Sequence, residues 1–273
     1  MAKAILACHR SLPQRQLERL VRASAERLVP AGLGGPRLRQ LSCAGLALAV
    51  VNPPQSMPAE GCSVCVGQMC GPRANWQTPG ADAPDGTYAI FRVNADSVEV
   101  LTDCAGTRSV WYYHDEEWFI AANSQRAIIS ILGSFRLNPE AVTWMLSAGS
   151  LGPAGSWDER VRRMPADARL RFDRATWELQ ESSAPAVFNP ARYRDEEAAT
   201  AEVRRVLEDA CWGFDVPEHE WRIALSGGYD SRMLLAFLKE KRAIDCVTWG
   251  AANALDQPGS DPDVARRVAH SSG

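Results

Sequence analysis

Apolar residues at helical spacing define the first predicted element of the chain. In PQRQLERLVRASAERL (13–28), Leu17, Leu20 and Val21 are separated by charged residues, which predicts a helix. Similar patterns predict short helices over 124–132 and 138–147 and a longer amphipathic helix over 195–211. Asn138 and Pro139 suit the cap and first turn of the third helix, and acidic residues open the fourth.

Runs rich in β-branched and aromatic residues predict strands between these helices. They cover 41–51, 62–70, TYAIFRV, SVEVLTD, SVWYYHD and EWFIAAN (all within 87–123), and 169–179. Short connections separate the four central runs, so we expect them to form one antiparallel meander. Around Ser182–Pro190 the composition shifts to Ser, Ala, Pro and Asn, which places a boundary between domains 1–188 and 189–273.

A β–loop–α–β unit follows in the second domain. Trp221–Leu225 and Ile244–Trp249 are predicted strands, and Met233–Leu238 is an apolar helical run between them. A helix that joins two strands in this way predicts that the strands are parallel. The turn between the first strand and the helix reads S-G-G-Y-D-S and covers residues 226–231.

The S-G-G-Y-D-S turn has the chemistry of a phosphate-binding loop. Its glycines let the backbone approach a ligand, and the following helix adds N–H groups and a positive dipole end. Ser226 and Ser231 supply hydroxyl donors, whereas Asp230 would repel phosphate unless a cation lay between them, which suggests a Mg²⁺ ligand. The Walker A lysine and the G-x-G-x-x-G pattern are both missing. The alternative is a glycine turn with a capping Ser and Asp.

Length, composition and charge limit the classes of function that this chain could have. The chain has 273 residues, 46% hydrophobic and 23% charged, with a net charge of −3, as expected for an ordinary globular protein of one or two domains. This charge gives no reason to expect nucleic acid or an anionic membrane as a partner. The apolar stretch at the start is too short for a signal-peptide core, so we expect a cytoplasmic protein.

Cys62, Cys65 and Cys70 form a C-x2-C-x4-C pattern that could begin a zinc or iron–sulfur site. A four-ligand site needs a further Cys or His, and the four histidines are scattered. The pattern lies in an apolar run, where cysteine packs well as a small hydrophobe. We favour packing, with a metal site as the alternative.

Several segments resemble the asparagine synthetase-like amidotransferases. D-C-A-G-T-R-S-V-W-Y-Y (103–113) resembles their D-x-x-G-x-x-x-L-Y-Y segment, and 117–132 is similar to the strand and helix after it. Residues 146–173 are similar to the stretch before a closing strand, although Pro165-Ala-Asp167 departs from the usual Pro-Pro-Gly. The loop 226–231 and V-T-W-G (247–250) complete a resemblance that covers about 85–273, and residues 1–84 fit only in broad pattern.

The resemblance implies an α+β domain followed by an α/β domain. Residues 1–188 would form an Ntn-hydrolase-type, glutaminase-like sandwich. Residues 189–273 would form the start of a doubly wound pyrophosphate-loop domain of the adenine nucleotide alpha hydrolase-like type. The family's glutaminase nucleophile is a mature N-terminal cysteine, but residue 2 is Ala2, and Cys8 could serve only after an unusual cleavage. The N-G-E-x-Y-N and S-D-T-E glutamine-binding segments also have no counterpart, so we expect no glutaminase activity.

Two branches of the family have an inactive glutaminase domain: β-lactam synthetases and lasso-peptide cyclases. S-G-G-Y-D-S-R followed by T-W-G, in a Trp- and Arg-rich chain, is more similar to the cyclases. The resemblance implies an ATP- and Mg²⁺-dependent ligase that adenylates a side-chain carboxylate of a precursor peptide, whose N-terminal amine then closes a macrolactam. A leader peptidase and a leader-binding protein would be further partners. The alternatives are a β-lactam synthetase-like or asparagine synthetase-like enzyme on a small molecule, or a non-catalytic scaffold.

The same resemblance assigns roles within the second domain. Ser226, Gly227, Gly228 and Ser231 would bind pyrophosphate and Asp230 would bind Mg²⁺, while the nucleotide's adenine would lie near Leu225, Val247, Thr248 and Trp249. Two alternatives stay open. Trp249 could instead be a core aromatic, and Arg232 could either contact phosphate or be a surface residue. For the acidic residues Asp256, Asp261 and Asp263 we favour a solvated loop with helix capping. Asp103 and Arg108 are expected to support a turn.

The length of the second domain raises a further expectation. A doubly wound domain needs more strands than residues 189–273 can provide, and the family places a second Mg²⁺-binding Asp and its catalytic residues further along. We therefore expect those residues downstream of Gly273, and we expect residues 1–273 alone to be inactive.

Overall fold

The computed structural model describes residues 2–30, 34–70, 74–184, 187, 195–213, 222–240 and 243–272. The chain divides into two units, Met1–Val187 and Phe188–Gly273. The stretch 182–190, where the composition shifts, spans this division.

Most of the N-terminal unit is β-structure. Its described strands are β1 (Lys3–His9), β2 (Leu38–Cys43), β3 (Leu46–Val51), β4 (Ala59–Glu60), β5 (Ser63–Cys70), β6 (Asp85–Val93), β7 (Ser97–Thr102), β8 (Trp111–His114), β9 (Trp118–Ala122), β10 (Arg162–Arg163), β11 (Ala168–Asp173) and β12 (Leu179–Ser183). Its described α-helices are α1 (Gln14–Glu26), α2 (Gln125–Leu132) and α3 (Pro139–Ala148). The strands form two six-stranded sheets, in the orders β10-β8-β9-β1-β3-β2 and β12-β11-β7-β6-β5-β4. The strand pairs within both sheets are antiparallel.

The core lies between the two sheets. Because alternate side chains of a strand point to opposite faces, Leu6 and Cys8 of β1 enter this core, while Ile5 and Ala7 face the helices. The second sheet contributes Phe91, among others, to the same core. Each large side chain that is fully buried here stabilises the fold by about 1.5–3 kcal/mol.

Different elements cover the two outer faces. Leu17 and Val21 of α1 and Ile128 of α2 pack on the first sheet. On the second sheet, Trp76 packs over an apolar cluster that includes Cys65.

A fully buried arginine holds the segment around Trp76 in place. Arg92 donates to the carbonyl oxygens of Trp76 at 2.6 Å, Ala81 at 2.7 Å and Asp82 at 2.8 Å. It also pairs with the buried Glu99 at 2.8 Å.

The structure confirms the four helices that the sequence predicts ahead of residue 212. Asn138 caps α3 through its side chain, and Pro139 occupies the first turn. The fourth helix, α4 (Glu196–Trp212), opens with Asp195, which accepts a hydrogen bond from the amide of Ala198.

Three strand predictions are wrong in connectivity. Residues 41–51 do not form one strand, because Gly45 has φ +71°, which turns the chain between β2 and β3. Residues 169–179 likewise divide into parts of β11 and β12, which form a hairpin. The four central runs are not one meander: β6 and β7 pair in one sheet, while β8 and β9 pair in the other. The apolar pattern predicts that a run is a strand, but it does not identify the partner strand.

The C-terminal unit contains the predicted β–loop–α–β unit. β13 (Arg222–Ala224) pairs in parallel with β14 (Asp245–Val247), and α5 (Tyr229–Lys239) joins them. A sixth helix, α6 (Asp261–Ser272), follows β14. A small core combines residues from these elements and α4: Cys211, Ile223, Leu225, Leu235, Leu238 and Ala265. The fold is thus mixed α/β, with antiparallel sheets and six α-helices among the described residues. None of these helices is both long enough and apolar enough to cross a membrane.

Candidate functional site

The S-G-G-Y-D-S loop begins where the two parallel strands end. Leu225 is 2% exposed, and its amide donates to the carbonyl oxygen of Val247 at 2.9 Å. This bond continues the pairing of β13 with β14 to the residue that precedes the loop. The loop therefore lies at the carboxyl end of the parallel strands, where open α/β sheets bind their ligands.

Two serine hydroxyls hold the loop in shape. The Oγ atoms of Ser226 and Ser231 are 3.0 Å apart, and Ser231 Oγ also accepts from the amide of Ser226 at 3.0 Å. Ser226 Oγ in turn accepts from the amide of Gly228 at 3.2 Å. The structure thus brings together Ser226, Gly228 and Ser231, three of the residues expected to bind pyrophosphate. These bonds fix the turn that leads into α5.

The first turn of α5 has no side-chain cap. Its N-cap residue is Gly228, which has no polar side chain to accept hydrogen bonds from the first-turn amides. In contrast, Asn138 caps α3 and Asp195 caps α4. The N-terminus of α5 therefore presents N–H groups and the positive end of the helix dipole to an anion.

Asp230 is the second residue of α5 and is exposed. Mg²⁺ prefers oxygen ligands and in phosphate sites needs only one or two carboxylates, with phosphate oxygens and water completing its shell. As a single exposed carboxylate in the loop, Asp230 fits that preference. No group of three or more His, Cys, Asp or Glu that could hold a metal is found among the described residues.

Asp261 lies against the loop, a contact that the sequence does not predict. A Cβ atom added to Gly227 would lie 2.5 Å from Asp261 Oδ1 and 3.4 Å from Asp261 Cα. Similarly, a Cβ on Gly250 would lie 2.8 Å from Cγ of Pro262. The N-terminus of α6 therefore packs against the loop and against the residues after β14. Both contacts require glycine, because a Cβ atom at residue 227 or 250 would collide with α6. The sequence feature that could have indicated this packing is a pair of glycines, Gly227 in the loop and Gly250 after β14.

The three acidic residues before and within α6 have separate roles. Ser260 caps the helix, because its Oγ accepts from the amide of Asp263 at 3.4 Å. The Asp263 carboxylate accepts a hydrogen bond from the amide of Gly259 at 2.8 Å, so Asp263 takes part in the expected capping. Asp256 is exposed, 3.7 Å from Arg266, and Asp261 is the residue that reaches the loop.

Three of the residues expected near adenine lie at the end of β14: Val247 is its last residue, and Thr248 and Trp249 follow it. Val247 is 44% exposed and Trp249 is 72% exposed, so Trp249 is not a core aromatic among the described residues. Thr248 is half-buried between them. Arg232 turns back toward the loop: its Nε donates to the carbonyl oxygen of Gly228 at 3.1 Å, and its guanidinium lies 4.5 Å from the ring centroid of Tyr229.

In the N-terminal unit, Asp103 supports a turn, as expected. Its carboxylate accepts from the amides of Tyr88 at 3.0 Å, Ala105 at 3.0 Å and Thr107 at 3.1 Å. Burial alone would raise its pKa, but hydrogen bonds from Thr107, Tyr88 and Ala105 leave the pKa of Asp103 below its ordinary value. Arg108 belongs to the same β7–β8 connection.

The cysteines of the C-x2-C-x4-C pattern do not face one another. Cys65 is fully buried on the outer face of its sheet, where it packs with Trp76 and Met69. Cys62 precedes β5 and Cys70 ends it, so the strand separates them. Packing therefore accounts for Cys65, and the extended backbone explains why the spacing does not gather three ligands.

Cys8, the only candidate for a displaced glutaminase nucleophile, lies in the core between the sheets and is 1% exposed. Burial raises the pKa of its thiol to about 12.

Comparison with known proteins gives no assignment for either unit: no protein-family model and no curated protein matches the chain.

Proposed function

We propose that this chain is an ATP-dependent carbon–nitrogen ligase of the asparagine synthetase-like type, which adenylates a carboxylate and releases pyrophosphate. The observation that carries the proposal is the loop 226–231. It lies at the carboxyl end of a parallel strand pair, its shape is fixed by two serine hydroxyls, and it leads into a helix whose first-turn amides have no side-chain cap. Such a loop is suited to hold the pyrophosphate portion of ATP.

The proposal includes the folds that the resemblance implies. Two stacked antiparallel sheets with helices on an outer face support an Ntn-hydrolase-type sandwich for the N-terminal unit. The parallel pair β13 and β14, joined by α5, supports a pyrophosphate-loop domain for the C-terminal unit. We place the enzyme in the cytoplasm, where ATP is available.

In the proposed reaction, a substrate carboxylate attacks the α-phosphorus of ATP and the bond to the bridging oxygen of pyrophosphate breaks. The loop amides and the hydroxyls of Ser226 and Ser231 would stabilise the negative charge of the departing pyrophosphate. Bound Mg²⁺ would neutralise part of that charge, and Asp230 is the residue that would hold it. A substrate amine then attacks the acyl carbon, forms the amide bond and displaces AMP.

The amine is proposed to come from the substrate itself. Cys8 is buried, and a thiol whose pKa is about 12 is a poor nucleophile at neutral pH, which argues against ammonia from glutamine. By resemblance, the substrate is a lasso precursor peptide whose N-terminal amine attacks an activated Asp or Glu side chain. A leader peptidase and a leader-binding protein would act with the enzyme on that peptide.

Equilibrium binding of Mg²⁺·ATP to the full chain tests the nucleotide site. We expect Asp230→Asn to weaken binding about tenfold, a loss of about 1.4 kcal/mol. The matched control is Asp245→Asn, which removes the same charge at the opposite end of β14 from the loop. Equal binding by wild type, Asp230→Asn and Asp245→Asn would contradict the assignment of Asp230. No binding by wild type would contradict the nucleotide site itself.

Mass spectrometry tests the reaction. With ATP, Mg²⁺ and a leader-trimmed precursor peptide, an enzyme that comprises this chain and the catalytic residues expected after Gly273 should convert the peptide to a product that lacks one water, whereas residues 1–273 alone should not. ATP–pyrophosphate exchange that depends on a small carboxylic acid but not on the peptide would favour a β-lactam synthetase-like or asparagine synthetase-like enzyme. Nucleotide binding with neither exchange nor loss of water would favour a scaffold.

A further inference from the structure

Cysteines of the two stacked sheets meet at one end of the N-terminal unit. Cys8 of β1 and Cys43 of β2 are both in register with Leu46 of β3. Because residues in register across neighbouring strands share a face, the three side chains form a row on the face toward the second sheet. Cys8 and Leu46 are part of the core between the sheets, and Cys43 packs against that core.

The second sheet contributes Cys62, the residue before β5. The start of β5 lies beside the end of β6, because the amide of Val93 donates to Ser63 Oγ at 2.9 Å. The turn after β6 therefore lies at the same end of the sheet as Cys62.

Arg174 joins this end of the second sheet to the first. It donates to the carbonyl oxygen of Ala95, in the β6–β7 turn, at 2.8 Å. It also donates to the carbonyl oxygen of Ala44, in the β2–β3 turn beside Cys43. The two turns are thus held together, which brings Cys43 and Cys62 to the same end of the core, close enough for Cys43 to raise the pKa of the Cys62 thiol. Both residues are thiols and half-buried.

We propose that Cys43 and Cys62 are a dithiol pair that a low-molecular-weight disulfide, such as oxidised glutathione, converts to a disulfide between the two sheets. One thiolate attacks the oxidant, forms a mixed disulfide and expels one glutathione thiolate. The second protein thiolate attacks the sulfur of its neighbour and expels the second glutathione. Overall, two protein thiols and one oxidised glutathione give one protein disulfide and two reduced glutathiones.

The environment makes this exchange selective and slow. Burial and the neighbouring Cys43 raise the pKa of Cys62 to about 11, so few of its thiols are ionised at neutral pH. Cys8 is close to Cys43, but it is 1% exposed and its pKa is about 12, which keeps it out of the exchange. Cys104 is exposed and serves as the comparison for a thiol that gains glutathione without a partner.

Peptide mapping of the oxidised full chain tests the pair. The reduced protein is incubated with oxidised glutathione at mildly alkaline pH, remaining thiols are alkylated, and the chain is cleaved after glutamate. Cleavage after Glu60 and Glu99 separates a peptide that contains Cys43 (27–60) from one that contains Cys62, Cys65 and Cys70 (61–99). We expect the two peptides to remain joined, with a combined mass two hydrogens below that of the two reduced peptides.

Single substitutions identify the bond. The joined peptides should be absent from Cys43→Ser and Cys62→Ser and should persist in Cys65→Ser and Cys104→Ser. The disulfide should raise the melting temperature of the wild-type N-terminal unit by about 5–10 °C, because it restricts the unfolded chain. Joined peptides in Cys62→Ser, or glutathione adducts on wild-type Cys43 and Cys62 without a joined peptide, would overturn the proposal. Where a variant folds poorly, fragmentation of the joined wild-type peptides in the mass spectrometer decides whether Cys43 is bonded to Cys62 or to Cys65 or Cys70, and a bond to either of the latter would overturn the proposal.

Discussion

The two units differ in how completely they bury their apolar side chains. In the N-terminal unit, both faces of the sheets are covered, and Arg92 is fully buried with a partner for each of its nitrogen atoms. In the C-terminal unit, the described core is a small cluster. Tyr229 at 84% and Trp249 at 72% are strongly exposed next to the parallel strands, whereas the strongly exposed large apolar residues of the N-terminal unit, such as Leu146 at 84%, lie outside its sheet strands.

This difference shows where binding chemistry is available. A covered side chain with satisfied hydrogen bonds mainly stabilises the fold, as Asp103 does. The loop 226–231 instead combines an exposed carboxylate on Asp230 with the uncapped amides of α5. We expect substitutions in the N-terminal unit to change stability, and substitutions in the loop to change ligand binding.

The largest effect is expected at the buried ion pair. Arg92→Met would leave Glu99 buried with one fewer charged partner, and we expect a loss of about 3–5 kcal/mol in the free energy of unfolding. Arg204→Met is the control, since its pair with Glu208 is exposed and worth less than about 1 kcal/mol. Urea unfolding measures both variants. Equal losses would show that the buried network does not hold the segment around Trp76.

Truncation of one leucine in each unit compares the two cores directly. Leu6 is fully buried between the sheets, and Leu225 is 2% exposed in the smaller cluster. We expect Leu6→Ala to cost about 3–5 kcal/mol and Leu225→Ala about 2 kcal/mol, because the smaller core can relax around the cavity. Amide exchange, which resolves the stability of each unit, measures both. A larger cost at Leu225 would contradict the comparison.

Acid should remove part of the stability of the N-terminal unit. Burial alone would raise the pKa of Asp158, but hydrogen bonds from the Arg160 side chain and from the amides of Arg136 and Arg160 hold it at about 2, below its ordinary value of 3.8. A carboxyl whose pKa is lower in the folded state stabilises fully above 3.8, and this contribution is lost as the pH falls toward 2.

The expected contribution of Asp158 is about 2 kcal/mol at neutral pH. Unfolding of wild type and Asp158→Asn as a function of pH measures it. The difference between the two should shrink as the pH falls from 4 toward 2. A difference that does not depend on pH in that range would show that the charge of Asp158 is not what stabilises this region.

The smallest effect is a coupling inside the C-terminal unit. Gly227→Ala would bring a Cβ to 2.5 Å from Asp261 Oδ1, so the carboxylate must move, whereas Asp261→Ala makes room for it. We expect Gly227→Ala to cost about 1 kcal/mol more in the wild-type background than in Asp261→Ala. Gly228→Ala is the control, since its Cβ would meet only Ser226 Oγ, at 3.3 Å. Additive costs for residues 227 and 261 would show that the contact is unimportant.

How far the sequence could predict this structure differs between elements. Helix positions and the β–loop–α–β unit follow from local apolar spacing and glycine placement, which a sequence displays directly. The sequence pattern does not predict β1, because its run KAILACH is apolar on both faces and shows no alternation. Its central place in the first sheet depends on long-range pairing with β3 and β9.

The candidate site shows the same limit. Ser226, Gly228 and Ser231 are close in sequence, and their hydrogen bonds follow from the local turn. Asp261 is more than thirty residues from Gly227, and only the packing of α6 brings it to the loop. Sequence spacing could not reveal that contact.

Hydrogen exchange with and without Mg²⁺·ATP tests most directly whether the loop is a nucleotide site. The account predicts that the nucleotide slows exchange at the amides of residues 226–231 and 247–249 and leaves the strands of the N-terminal unit unchanged. The slowing at 226–231 should be much weaker in Asp230→Asn and intact in Asp245→Asn. Slowed exchange confined to other segments, or none at saturating nucleotide, would contradict the central claim.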